Sequence, residues 1–283
     1  MSSVKRIICL ANSWKLGERC IAGIDIDTGK WVRPVCDSLY PEDGKVPESV
    51  RLINGKEPQL LDILEIPLAD TGNNFGFESE NLSVLQGAWR LIGRALPYEL
   101  NKFCLETQYI LHNSIRKVRP SYLQSLPQEN RQTLQLIKSS KFSVTRVGDK
   151  WKGNITISNG QSLNNLTITD PFLVAQLDTG YKPPDICFIT VSLSMPWSPP
   201  DDQEEEKPCW KLIAGCIPDL FPEIDQEMTR VGWSVEQGRN FIEIRFGSGK
   251  ISRRQLTLEE LQQFLEHLKR LDVMESSNYD DDF

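Results

Sequence analysis

Over the first seventy positions, apolar residues come in short runs separated by polar breaks. RIICLA (6–11) and RCIAGIDI (19–26) are rich in Ile and Cys and too short for stable helices, so the pattern predicts strands over 4–11 and 19–27. DTGK (27–30) predicts a turn, with Gly29 free to take positive φ. WVRPV (31–35) is a third strand, which Pro34 places at an edge or a bulge. A loop rich in Pro and Gly runs from Asp37 to Pro58, QLLDILEIPL (59–68) returns as a strand, and VLQGAWRLIGRAL (84–96) suits either a strand or a short helix.

After Pro97 the period changes. Leu100, Phe103, Cys104 and Ile110–Leu111 fall at helical intervals, and Pro120 and Pro127 cut the stretch into two or three short helices. Strand patterns resume with KFSVTRV (141–147), WKGNITIS (151–158), NLTITD (165–170), ICFITVSLSM (186–195) and CWKLIAGCI (209–217). An acidic, proline-rich loop, PWSPPDDQEEEKP, separates the last two. WSVEQGRNFIEIRFGSGKIS (233–252) reads as a hairpin turned at Gln237-Gly238. LTLEELQQFLEHLKRL (256–271) is a helix with a Thr257/Glu260 capping box and a stripe of Leu261, Phe264, Leu265, Leu268 and Leu271.

The pattern therefore predicts a mainly β (α+β) protein. A first five-strand barrel occupies 1–97, a basic helical bridge 98–140, and a second barrel 141–225. A hairpin–helix unit follows at 226–272 and a disordered acidic tail at 273–283. An internal echo supports two halves: Ile8-Cys9 followed by CIAGI (20–24), against Ile186-Cys187 followed by KLIAGCI (211–217).

KRIICLANSWK, RCIAG, GKWVRPV and LLDILEIPL together resemble the start of the bacterial dual OB-containing domain, and TITDPFLV (167–174) with CWKLIAG (209–215) resembles its second half. The resemblance spans most of 4–217. It implies two oligonucleotide/oligosaccharide-binding-like barrels, a fold associated with nucleic-acid or nucleotide binding, and it brings no catalytic residues with it. The hairpin followed by L-T-L-E-E and a helix is similar to the single-strand-binding transcriptional coactivators over about 40 residues. A unit that caps the second barrel, or a dimerisation surface through Phe264 and the leucines, is the favoured reading of it.

Charge sharpens the picture. The chain has a net charge of −7, which argues against a generic nucleic-acid binder, but the cations are concentrated. Ser114 to Lys152 carries nine of them (Arg116, Lys117, Arg119, Arg131, Lys138, Lys141, Arg146, Lys150, Lys152) against Glu129 and Asp149. A local anionic partner fits such asymmetry, as does a solvated surface. Five cations between Arg239 and Arg254 face one acid, Glu243.

Seven cysteines without a C-x-x-C pair, no apolar run of membrane length and no signal-peptide core predict reduced, structural thiols in a cytoplasmic protein that does not enter membranes. GSGK (247–250) is not a phosphate loop, since Ile244 and Ile251 stand where Gly and Ser/Thr are needed. His112 and His267 lack a companion nucleophile, and no metal-ligand spacing occurs, so no catalytic residue, metal or cofactor is expected.

Binding has better candidates. In an extended strand Trp31, Arg33 and Val35 share a face, so that indole and guanidinium could form a stacking platform; alternatively, Trp31 fills the barrel and Arg33 pairs with a carboxylate. Trp14, Lys15 and Arg19 would extend the platform, and Trp151 between Lys150 and Lys152 repeats the theme. With Arg116, Lys117 and Arg119 as phosphate contacts, these residues predict a non-enzymatic module for single-stranded DNA or RNA, acting as an accessory subunit. The rivals are a protein-interaction scaffold, docking through the basic bridge or the final helix, and a metal-dependent nuclease built from scattered carboxylates.

Overall fold

The computed structural model describes residues 3–104, 106–200, 205–247 and 249–271. The chain divides into two compact units, the larger holding 1–95 and 99–218, the smaller 96–98 and 219–283.

The larger unit begins with β1 (Ser3–Lys15), β2 (Glu18–Asp25), β3 (Trp31–Val35), the short helix α1 (Glu48–Arg51), β4 (Asp62–Leu68), β5 (Asn81–Ser83) and β6 (Arg90–Arg94). They form one sheet in the order β5-β3-β2-β1-β4-β6, with β3 and β5 parallel. The sheet closes on itself where Leu68 bridges Val84 and Leu85 N–H donates to the Pro67 carbonyl at 3.0 Å. Ile7, Cys9, Ile21, Val32, Leu64 and Ile66 fill the barrel. Pro34 is not at an edge, because β3 lies between β2 and β5. Pairing with β2 involves Trp31 and Val32 only, so it ends before the residue that lacks a donor.

The expected helical bridge over 98–140 holds little helix. It comprises a 3-10 turn at Pro97–Phe103, the two-residue β7 (Lys117–Val118), the six-residue α2 (Pro120–Ser125) and a second 3-10 turn at Gln128–Asn130. From Leu134 the chain is already strand, so the second barrel starts before Lys141. It consists of β8 (Leu134–Val147), β9 (Lys150–Ile157), β10 (Ser162–Ile168), α3 (Pro171–Asp178), β11 (Cys187–Leu193) and β12 (Cys209–Pro218). The order β10-β9-β8-β11-β12-β7, with an added parallel β10–β12 pairing, closes a ring of five. Both rings run first-second-third-fifth-fourth with third and fifth strands parallel, which is the OB arrangement. In the second barrel Asp170 starts the helix after the third strand: its Oδ1 accepts from Phe172 N–H at 2.9 Å and Leu173 N–H at 3.2 Å, and Pro171 occupies the first turn.

The two barrels meet along β1 and β12. Register slips between Cys9 and Ala11 in β1, leaving Leu10 bulged, and between Thr190 and Val191 in the β11–β12 pair, leaving Ala214 bulged. Thr190 Oγ1 donates to the Leu10 carbonyl at 2.7 Å. A Cβ on Gly215 would lie 2.2 Å from that same oxygen, so only glycine permits this approach. Ala11, Ala22, Leu134 and Ala214 pack together with Trp31 against them. The echoed Ala-Gly pairs therefore do not mark equivalent strands. One lies in the second strand of the first barrel, the other in the fifth of the second, and both serve close backbone approach at bulges.

In the smaller unit, 219–271 forms α4 (Phe221–Arg230), α5 (Val235–Phe246), a 3-10 turn at Arg253–Gln255 and α6 (Leu258–Arg270) among its described residues. The expected hairpin is thus a helix. The alternation in NFIEIRF yields to a capping box in which Ser234 accepts from Gln237 N–H and the Gln237 side chain returns to Ser234 N–H. Gly238 is no turn: it gives α5 close approach to Met228, whose Cε a Cβ would meet at 2.9 Å. The stripe of α6 is as expected, but Leu261, Phe264, Leu265 and Leu268 are buried with Ile224, Val231 and Ile242 in the unit's own core. The tail at 273–283 lies outside the described residues, as do positions 201–204 of the acidic loop.

Candidate functional site

The outer face of the second barrel brings cations from two chain segments beside an indole from a third. On β9, Gly153, Ile155 and Ile157 are buried while Lys150, Asn154 and Thr156 alternate with them outward, and Lys152 shares that outward parity. Lys152 pairs with Thr167 of β10, which also pairs with Leu212 of β12, and Lys152 Nζ donates to Thr167 Oγ1 at 2.7 Å. On β12, Trp210 is half-buried and outward between the buried Cys209 and Lys211, and it pairs with Lys117 of β7. The Arg116 guanidinium lies 6.0 Å and the Lys117 ammonium 5.9 Å from the Trp210 ring. Trp210 Nε1 donates to the Trp197 carbonyl at 2.7 Å, and Trp197 itself is 56% exposed on the loop between the fourth and fifth strands.

The cations crowd one another. Partial burial, then the charges of Lys150 and Arg116, hold the Lys152 ammonium below the ordinary lysine pKa. The acidic loop approaches from another side: Glu206 accepts from Ser121 N–H at 2.7 Å and from Ser121 Oγ at 2.6 Å. Those bonds, with the nearby Arg119 charge, keep its carboxyl below the usual range. Arg119 is thus matched with an acid, whereas Arg116 and Lys117 lie at the Trp210 ring and Arg116, Lys150 and Lys152 form one cationic field.

Not all expected residues join this field. Trp151 has the opposite parity to its flanking lysines and packs at the rim of the core; its Nε1 donates to Asp178 Oδ1 at 2.9 Å, and the Arg146 guanidinium lies 5.8 Å from its ring. Trp14, half exposed, stands near the tip of the β1–β2 hairpin opposite Arg19, whose guanidinium is 5.6 Å from the indole and 3.8 Å from Glu57. Lys15 lies over Phe75 at 5.7 Å. Trp31 pairs opposite Ile24, five residues further along β2 than Arg19, or roughly 16 Å at the rise of a strand. Trp14 and Trp31 therefore do not make one platform.

Arg33 is a correction. It is 2% exposed, ion-paired with Glu78 and, at 3.1 Å, with Glu80, and it donates to Thr133 Oγ1 at 2.8 Å. Burial opposes its charge, but the two carboxylates outweigh that and hold the proton more tightly than in water. The guanidinium ties β3 to the start of the second barrel and offers nothing to a phosphate. Trp197 and Trp210, which complete the surface, were not expected as site residues: the cations beside Trp210 come from about ninety positions earlier, a juxtaposition that local pattern does not carry. Among the described residues, no group of three His, Cys, Asp or Glu side chains could hold a metal ion, and no helix is long and apolar enough to cross a membrane.

A family model described as the dual OB-containing domain matches residues 5–216, the span of the two barrels. Searches of curated proteins and of solved structures find no match.

Proposed function

The chain belongs to the dual OB-containing domain family, and from that premise we propose that it is a non-enzymatic nucleic-acid-binding module, taking single-stranded DNA or RNA across the outer face of its second barrel, as an accessory subunit in a bacterial system. The observation that carries this reading is the Trp210 indole flanked by Arg116 and Lys117, with Lys150 and Lys152 on the second strand and the Arg116 charge acting on Lys152. OB barrels engage oligonucleotides on that face and with the loops joining first to second and fourth to fifth strands. An aromatic with adjoining cations is what a base and its phosphate require: the ring takes any base by stacking, and the cations follow the backbone. Trp197 adds a second indole from the loop between fourth and fifth strands, and Trp14 with Arg19 offers a separate aromatic–cation pair on the first barrel.

Fluorescence anisotropy with labelled single-stranded DNA, RNA and duplex, at low and at physiological salt, tests it. Single strands bind, and affinity falls as salt rises, because cations that neutralise phosphates release counterions. Trp210→Ala removes about 1–3 kcal/mol of binding, and Arg116→Gln lowers the salt slope by about 1. Absence of binding at low salt, or full affinity in a folded Trp210→Ala variant, refutes the assignment.

A further inference from the structure

A concavity in the larger unit is lined by none of the residues gathered around Trp210. Its volume is about 660 Å³, within the range of small-molecule sites, and it opens where β3, the segment around Phe103 and the start of β8 come together. Trp31 and Phe103 supply its aromatic surface, Lys30 and Lys102 its cations, and Gln132 and Gln135 its amides.

Several features distinguish it from a packing defect. The Trp31 ring is held against the alanines of the seam between the barrels, so its orientation is fixed before any ligand arrives. Lys30 and Lys102 are both exposed, and among the described residues neither ammonium is paired with a carboxylate. Lys30 is positioned by the preceding turn, where Asp25 N–H donates to the Lys30 carbonyl at 2.9 Å and Gly29 takes φ 69°. The one buried acid in the lining, Glu80, is already engaged by Arg33 and Thr133, so it does not repel an anion as a bare carboxylate would. Gln135 is fixed too, accepting from Leu111 N–H at 2.7 Å and donating to Thr107 Oγ1 at 2.9 Å. Glu129 and the exposed Gln132 remain as acceptors for an exocyclic amine.

A rigid indole, amide and carboxylate acceptors and two exposed ammonium groups match a flat heterocycle joined to a phosphate. We propose that this cleft binds a 5′-nucleotide, with the base against Trp31 and the phosphate met by Lys30 and Lys102. A purely apolar ligand would cover the Gln132 amide and the lysines without giving them partners, and a simple dianion would make no use of the rings.

Isothermal titration of the full chain with adenosine 5′-monophosphate, adenosine and a 5′-phosphorylated tetranucleotide tests this. The monophosphate binds with Kd below about 1 mM, and adenosine binds more weakly. Replacing both exposed lysines (K30A with K102A) weakens the monophosphate by about tenfold and leaves adenosine unchanged. Trp31→Ala weakens both ligands. Because Trp31 also packs the seam, the lysine pair carries the test if that variant does not fold. Lysine-sensitive binding of the tetranucleotide as tight as that of the monophosphate identifies a strand end as the source, and preference for the monophosphate identifies a free nucleotide. Trp210→Ala leaves monophosphate binding intact, which separates this site from the barrel face. No monophosphate binding up to about 1 mM, binding indifferent to the lysine pair, or binding abolished by Trp210→Ala overturns the proposal.

Discussion

Lys211 points into the second barrel from β12, 2% exposed, and among the described residues no carboxylate is paired with it. Its ammonium donates to the Ile110 carbonyl at 2.6 Å, the Asn113 carbonyl at 2.7 Å and Asn113 Oδ1 at 3.0 Å. Burial pushes its pKa down to about 7 from the model-compound value of 10.5. The unfolded chain keeps this proton up to the higher value, so between the two the unfolded state holds more protons and stability rises with pH. Below about 7 both states are charged and the penalty of burying the charge is complete. The full span corresponds to on the order of 4–5 kcal/mol, of which on the order of 2 kcal/mol returns between about pH 7 and about pH 9. Urea unfolding of the wild type and of Lys211→Met across that range isolates the effect, because the buried thiols, whose titration works in the opposite direction, are common to both. The wild type gains on the variant by on the order of 2 kcal/mol. A difference that stays flat within about 0.5 kcal/mol refutes the reasoning. It would mean that the three acceptors keep the ammonium charged through the whole window.

Other perturbations probe the frame around the sites. Gly215→Ala drives a Cβ into the Leu10 carbonyl and breaks the approach of the barrels, destabilising the larger unit by about 2–3 kcal/mol in urea melts; an unchanged midpoint contradicts the seam. Arg33→Met strands Glu78 and Glu80 without their cation and lowers stability by about 3–5 kcal/mol in the same assay. Near-wild-type stability there shows that the pair is not desolvated. Thr257→Ala removes the cap of α6 and weakens the smaller unit by about 1 kcal/mol, seen as faster amide exchange in 258–265; unaltered exchange argues against the cap.

What was legible followed from local pattern. RIICLA, CIAGI, NITI and the Leu-rich final helix each carry their period and boundaries within a few residues, and each forms the predicted element. The misreadings are of two kinds. In α5 a start signal was present but outweighed: Ser234 with Gln237 sat beside NFIEIRF, whose alternation suggested strand. In the sites, the deciding partners are remote. Arg33 shares a strand with Trp31, yet its side chain follows Glu78, Glu80 and Thr133, some 45 to 100 residues on. Trp210 is likewise unremarkable until β7 brings Arg116 and Lys117 beside it.

The seam also imposes an order on biosynthesis. β1 leaves the ribosome well before β12, the strand that covers its bulge, which is completed only at Pro218. At a translation rate of about 5–20 residues per second, the nascent first barrel spends roughly 10–40 s with Leu10, Ala11 and Ala22 uncovered. During that interval the growing chain presents a patch suited to chaperones, and a ribosome stalled before Cys209 would hold it open indefinitely. The bulge in β1 is thus sealed only once the strands of both barrels have been made.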